Sequence, residues 1–235
     1  MEQPLKTLVI LTTAFNPSST HHTAFGDTRL RQYVLGLSRV AEVLKQRPEF
    51  DAIIVDNTIT DGWQMPAELQ KVVQAMPRTK TVFFSDNALP SINKGCGNVI
   101  AWRRAQQATN DFADYNYVIH FEPRCLLLDF SFFEQFERRP AGYILFEKIR
   151  PTSSNQCKRM LMKLLPVYHT QTWTGIFSIT TTNFRQMLKS IDVQQMADKK
   201  ISLENVVYDY RQFFRPVRKL GLLWHDALNN RYIFY

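Results

Sequence analysis

The strongest constraint on this chain is an alternation, through its first half, between short β-branched runs and stretches of helical periodicity. Lys6 to Phe15 is rich in β-formers. After a polar loop from Asn16 to Gly26, Leu30, Val34, Leu37, Val40, Ala41 and Leu44 recur at helical spacing, which predicts a helix over Asp27 to Gln46 with Asp27 as its cap. Pro48 closes that unit. Asp51 to Val55 then reads as a strand of the kind buried on both faces of a parallel sheet. Pro66 to Met76 reads as a helix with proline in its first turn, and Thr79 to Phe84 as a third strand. Asn98 to Thr109 gives another helix, and Tyr115 to Phe121 a fourth strand. Parallel strands need long crossovers, and these helices supply them, so the expected fold is α/β: a mostly parallel, Rossmann-like sheet with helices on both faces.

The second half is less regular. A helix is expected at Phe130 to Phe136, a strand at Gly142 to Phe146, a strand at Trp173 to Thr180, helices at Asn183 to Ser190 and Ser202 to Phe214, and a last strand at Leu220 to Trp224. Between them Lys148, Arg150, Lys158, Arg159 and Lys163 form a basic segment interrupted by Pro151-Thr152-Ser153-Ser154, read as a lid or acceptor-binding loop with a weak pull towards an anionic acceptor, or as a solvated loop. With 45% apolar residues the chain can build a sizeable core, which excludes a disordered protein. No apolar run approaches the roughly 20 residues of a spanning helix. The N-terminus lacks a basic start and a long apolar middle, so a cytoplasmic protein is expected. Cys96, Cys125 and Cys157 are odd in number and lack metal-ligand spacing, which argues for reduced thiols. A formal charge of +8 points to an anionic partner, while scattered basic residues and missing base-reading motifs disfavour nucleic acid.

The functional candidates gather where strands end. In open α/β sheets ligands bind beyond the carboxyl ends of the strands, where this sequence places Asp56-Asn57, Asp86-Asn87 and Glu122-Pro123-Arg124. Asn93-Lys94-Gly95-Cys96-Gly97 reads as a glycine turn whose positive φ angles would expose backbone N–H groups to an anion, with Lys94 and Arg103 or Arg104 neutralising a diphosphate. Two plainer readings stand beside these: a structural glycine turn with solvated arginines, and a Glu122–Arg124 pair that serves only the fold.

On these residues the chain resembles the GT-A-fold glycosyltransferases of the large inverting family, which use nucleotide-sugar donors. The resemblance implies one domain over 1–235, with a donor half at 1–125 and an acceptor half at 126–235. Asp56 and Asp86 would hold the nucleoside, and Asn93, Lys94, Gly95 and Arg103 the diphosphate. In the family the fourth strand ends in Asp-any-Asp, whose last carboxylate binds the metal. Here Arg124 stands in that place, which implies a guanidinium clamp on the diphosphate without metal, and Glu122 on a sugar or ribose hydroxyl. If metal is used, Mn2+ or Mg2+ would sit on Glu122 and His225; otherwise His225 donates to the diphosphate or is structural. Thr172-Trp173-Thr174-Gly175 resembles the family's glycine loop, giving Trp173 and Gly175 to the acceptor. Ser202-Leu203-Glu204-Asn205 lies where the family carries its catalytic acid, making Glu204 the general base; the same pattern also describes a capped helix with a first-turn acid. Two alternatives are a nucleotidyltransferase of related fold and a non-catalytic module binding glycan or nucleic acid.

Overall fold

The computed structural model describes residues 5–16, 26–86, 88–149, 169–217, 220–226 and 231–234. Its first half runs β1 (Thr7–Thr13), α1 (Gly26–Gln46), β2 (Phe50–Asp56), α2 (Ala67–Ala75), β3 (Thr79–Phe83), α3 (Ala88–Ile92), α4 (Lys94–Ala108) and β4 (Tyr117–Phe121). There follow β5 (Leu126–Leu127), α5 (Ser131–Arg138), β6 (Tyr143–Ile149), β7 (His169–Thr180), α6 (Thr181–Ser190), α7 (Val193–Asp198), α8 (Leu203–Tyr208), β8 (Arg215–Pro216), β9 (Leu222–Asp226) and β10 (Arg231–Phe234). The main sheet has seven strands in the order β3-β2-β1-β4-β7-β6-β8, and β7 alone among them runs against its neighbours. This is the mostly parallel α/β sheet that the sequence implies. A smaller sheet, β10-β9-β5, carries the chain that leaves β4.

Side chains alternate across a strand, and the core divides accordingly. Val9, Leu11, Ala52, Ile54, Ile119 and Phe121 pack with α1, α2 and α5 on one face. Leu8, Ile10, Ile53, Val55, Val118, Phe177 and Ile179 pack with α4, α6, α7 and α8 on the other. Because both faces are covered, every residue of β1 is buried, which explains its unbroken apolar run. The connection from β1 leads to β2 on one side while β4 lies on the other. The sheet therefore switches direction between β1 and β4, opening a crevice beyond their carboxyl ends.

Three expectations need correction. Helix α4 starts at Lys94, not Asn98, because the Asn93 side chain accepts from the Gly95 N–H at 3.0 Å and caps the helix there. Gly95 and Gly97 are consequently helical; positive φ is confined, among the described glycines, to Gly62 and Gly221. Their lack of a side chain serves close packing instead, since a Cβ on Gly95 would lie 3.0 Å from Leu203 Cβ and one on Gly97 would lie 3.3 Å from Asn57 Nδ2. Asp27 falls inside α1 rather than capping it. The helix expected over Ser202 to Phe214 stops at Tyr208 and resumes as a 3-10 turn at Arg211–Phe213.

Helix α1 presses on the segment that follows β4. A Cβ at Gly36 would meet the Pro123 carbonyl oxygen at 1.6 Å, a backbone atom that cannot swing away. Alanine in a helix interior is ordinarily favoured over glycine by about 1 kcal/mol, but displacing a backbone costs about 1–3 kcal/mol. Gly36→Ala should therefore lower Tm by a few degrees, roughly 2–4 °C for each kcal/mol lost. A calorimetric Tm at or above that of the parent would show that α1 and Pro123 do not approach this closely.

Candidate functional site at the β1–β4 switch point

Asp56 ends β2 and is wholly buried. One oxygen, Oδ2, accepts from Thr13 Oγ1 at 2.8 Å and Phe15 N at 2.7 Å. The other, Oδ1, accepts from Thr58 N at 2.7 Å and Thr58 Oγ1 at 2.6 Å. A carboxylate has about four lone-pair sites, and here all are filled. Asp56 thus braces the loops beyond β1 and β2 and presents no open acceptor to a nucleoside. Asn57 and Asp86 stand beside it: Asn57 Nδ2 donates to the Asp86 carbonyl at 3.1 Å, and Asp86 N returns a bond to the Asn57 carbonyl at 3.1 Å.

Glu122 and Arg124 leave β4 at the crevice. Arg124 Nε and Nη2 each lie 3.0 Å from Glu122 Oε2, while Asn98 Nδ2 donates to Oε1 at 3.0 Å. Burial pushes the Glu122 carboxyl upward, but Arg124 and Asn98 outweigh it and hold it below its ordinary value. Glu122 in turn raises the Arg124 guanidinium. Tyr33 of α1 lies in the same field. Its hydroxyl accepts from Ala14 N at 2.9 Å, and burial pushes it up to about 12, against the pull of Arg29 and Arg124. Lys94, at the start of α4, is pushed down by partial burial and then by the positive charges of Arg124 and Arg29. Lys94 therefore stands in the positive field of Arg124 and Arg29, while Arg124 itself is held charged by Glu122.

The second half reaches this group through β7 and α8. Glu122 N donates to the Gly175 carbonyl at 2.8 Å. Next to it Thr174 Oγ1 donates to Glu204 Oε1 at 3.3 Å, and Thr172 Oγ1 to the Glu204 carbonyl at 2.7 Å. Glu204 lies in the first turn of α8, which Ser202 caps. Asn93 locks the two halves together: its Nδ2 donates to the carbonyls of Met196 and Ile201 at 2.9 and 2.7 Å. Behind β4, His120 is fully buried and its Nδ1 accepts from Trp102 Nε1 at 2.9 Å. Burial drives it down to about 4, so it is neutral near pH 7 and carries its proton on Nε2, which has no well-formed partner.

Glu122, Arg124, Lys94, Gly95, Gly175 and Glu204 are thus brought together as the sequence suggests. Arg103 is not. It lies nine residues along α4 from Lys94, roughly 13 Å by the helical rise, and its Nη2 donates to the Leu188 and Ile191 carbonyls at the end of α6. The Arg104 guanidinium lies over the Phe84 ring, 5.1 Å from the ring centre. Trp173 belongs to the apolar core at 8% exposure and lies over Gly175, where a Cβ would meet its ring at 2.3 Å. The His225 side chain and the basic segment at 150–163 lie outside the described residues, although the β9 backbone that carries His225 pairs with β5 just after Arg124. Arg29, Tyr33 and Asn98 escaped sequence reasoning. Arg29 and Tyr33 are four apart on one face of α1, a spacing that signals shared surroundings once the helix is known to cross the strand ends.

A divalent cation fits this group poorly. Both oxygens of Glu122 are engaged, one of them by a guanidinium, and no cluster of three or more His, Cys, Asp or Glu occurs among the described residues. No described helix is long and apolar enough to cross a membrane.

No family model matches the chain, and no curated protein sequence does. Among solved structures it is similar to a protein described as a nucleotide-diphospho-sugar transferase from Desulfovibrio desulfuricans G20, at 11% identity and a TM-score of 0.46 over 90% of this chain and 80% of that one. It is also similar to the galactosyltransferase LgtC bound to donor and acceptor sugar analogues, at 10% identity and a TM-score of 0.41 over 90% and 66%. Mouse xyloside xylosyltransferase 1 matches at 12% identity and 0.40 over 91% and 84%. Values this low assign neither family nor activity, and the architecture rests on the sheet order itself.

The depressed Glu122 carboxyl sets a pH dependence. Its folded value lies below that of an unfolded glutamate, near 4.3, so its stabilisation is present at neutral pH and lost as pH falls through the folded value. Glu122→Gln should cost roughly 1–2 kcal/mol at pH 7, discounted for the partial exposure of Arg124. That gap should begin to narrow as pH falls below the unfolded value of about 4.3 and go on narrowing towards the folded one. Urea titrations of both proteins at pH 7 and pH 3.5 would check this; an equal gap at the two values refutes a stabilising charge on Glu122.

Proposed function

We propose that the chain is a glycosyltransferase that moves a sugar from a nucleotide-diphosphate donor to a hydroxyl acceptor, with inversion and without a metal ion. The observation that carries this reading is the gathering of Arg124 with Glu122, Lys94 at the start of α4 and Glu204 around the β1–β4 switch point, tied by Asn93, Gly175 and Thr174. A diphosphate supplies compact negative charge to which a guanidinium and an ammonium at the strand ends can both donate.

In the reaction, the acceptor oxygen bonds to the anomeric carbon as the bond from that carbon to the diphosphate oxygen breaks. The bonding pair leaves with the nucleoside diphosphate, whose added charge Arg124 and Lys94 balance. Glu204 takes the acceptor proton, and the Thr174 hydroxyl orients its carboxylate. Asn57 and Asp86, exchanging backbone and side-chain bonds at the end of β2, would hold the nucleoside beside the filled Asp56. The indole of Trp173 fills the space over Gly175, so the acceptor would approach beside this packed pair and not through it. His225 would complete the diphosphate shell.

A second reading has an observation in its favour: Asp56 and Glu122 are already occupied by partners within the protein, as in a module that binds without turnover. A thermal-shift screen of nucleoside diphosphates, triphosphates and nucleotide sugars, each with manganese and with chelator, separates the readings. Stabilisation by a nucleotide sugar in chelator is expected, reaching about 2.7 kcal/mol at a hundred times Kd. Glu204→Gln should keep that shift and abolish transfer to a hydroxyl acceptor, whereas Arg124→Gln should lose the shift. Stabilisation only with manganese would remove metal independence, and none with any donor would leave the binding module.

A further inference from the structure

We propose that the groove between α4 and α6 is a second anion site, distinct from the strand-end crevice, that binds a small phosphate-bearing molecule. The groove has a volume of about 500 Å³, a size for a small molecule and not for a polymer, and its lining includes Arg103, Gln106, Asp111, Arg185 and Lys189.

Its charge is unbalanced. Arg103 is partly buried, and its two hydrogen bonds go to the neutral carbonyls of Leu188 and Ile191, both from Nη2. They end α6 well, because a cation there meets the negative end of the helix dipole. They do not neutralise the guanidinium, and Nε and Nη1 have no partner among the described residues. Lys189, exposed on the next turn, forms no ion pair among the described residues either. The carboxylate in the lining, Asp111, is taken by Arg185, whose Nε lies 3.1 Å from Oδ2, and by Gln106 Nε2 at 2.6 Å from Oδ1. Three cations thus share one carboxylate.

The wall that holds Asp111 is strained. Asn110, Asp111 and Phe112 have φ of 48°, 57° and 57°, three successive residues in a left-handed conformation that non-glycine residues avoid. Arg185 grips this turn twice at the Asp111 carbonyl. The surrounding structure therefore fixes the groove's only acid against Arg185 and leaves Arg103 and Lys189 facing open space. A guanidinium with unused forked donors beside an ammonium suits phosphate. The phosphate can be inorganic or carried on a sugar, and the two sources are separable by experiment.

The test uses the full chain carrying Arg124→Gln, which weakens any binding in the crevice, with and without Lys189→Glu. Each protein is titrated calorimetrically with inorganic pyrophosphate and with glucose 6-phosphate. At least one should bind the Arg124→Gln protein, and Lys189→Glu should weaken that binding by about tenfold or more, the loss expected for one charge-assisted hydrogen bond. Tighter binding of glucose 6-phosphate would make the ligand a sugar phosphate, and tighter pyrophosphate an inorganic one. Binding unchanged by Lys189→Glu, or no binding of either compound, overturns the proposal. Lys189 is exposed in the last turn of α6, and a thermal melt of each variant separates any loss of fold from a loss of binding. The outcome is independent of glycosyl transfer, which the donor screen tests at other residues.

Discussion

A carboxylate with no exposure to water at the end of β2 sets the terms for everything around it. Burying that charge costs several kcal/mol unless donors replace water, and the chain brings two from the β1 exit and two from Thr58. Once Asp56 is satisfied in this way, the loops beyond β1 and β2 have little freedom. Phe15 is turned back against Tyr33, Trp63 and Phe83, and Tyr33 secures Ala14 from α1. The crevice is therefore walled by backbone held in place from below. A site that must hold a charged ligand in one pose needs such a wall, because each loose element would add an ordering cost on binding.

The other wall belongs to α4. Asn93 acts at once as the cap of that helix and as a clasp on the segment between α7 and α8, so one side chain determines where Lys94 and Glu204 stand relative to each other. Gly95 and Gly97 let the helix come close enough for this, to Leu203 on one side and Asn57 on the other. Lys94 is held by such rigid parts within the positive field of Arg124 and Arg29.

Much of the architecture was legible in the sequence because β1, β2 and β4 are buried on both faces and carry the apolar runs that this demands. The glycine segment is ambiguous in sequence for a physical reason: glycine marks both positive φ and close packing, and only the three-dimensional neighbours of Gly95 and Gly97 tell the two apart. Asp56 looked like a ligand contact because a strand-end acid is one in many α/β proteins; that Thr13, Phe15 and Thr58 would fill it depends on contacts 2 to 43 residues away. Arg103 followed Lys94 in sequence and so seemed part of the same group, but helical rise separates them. Short elements such as β5, β8 and α3 carry too few residues for a period to show. Glu122, Arg124 and Glu204 stand at a strand end and a capped helix start, positions that leave local signatures; what they do is implied only by the resemblance.

The order of the strands also has a consequence for how the protein is made. The four strands β3, β2, β1 and β4 are complete once Phe121 has been synthesised, but the strand that covers the open edge of β4 is β7, which begins at His169. At about 5–20 residues per second, that edge stays unpaired for roughly 3–12 s, until Ile176–Thr180, the part of β7 that pairs with it, emerges. It is a row of apolar residues with free backbone donors and acceptors, the kind of template on which other chains pair. The nascent protein thus passes through an interval in which that edge is open to other chains.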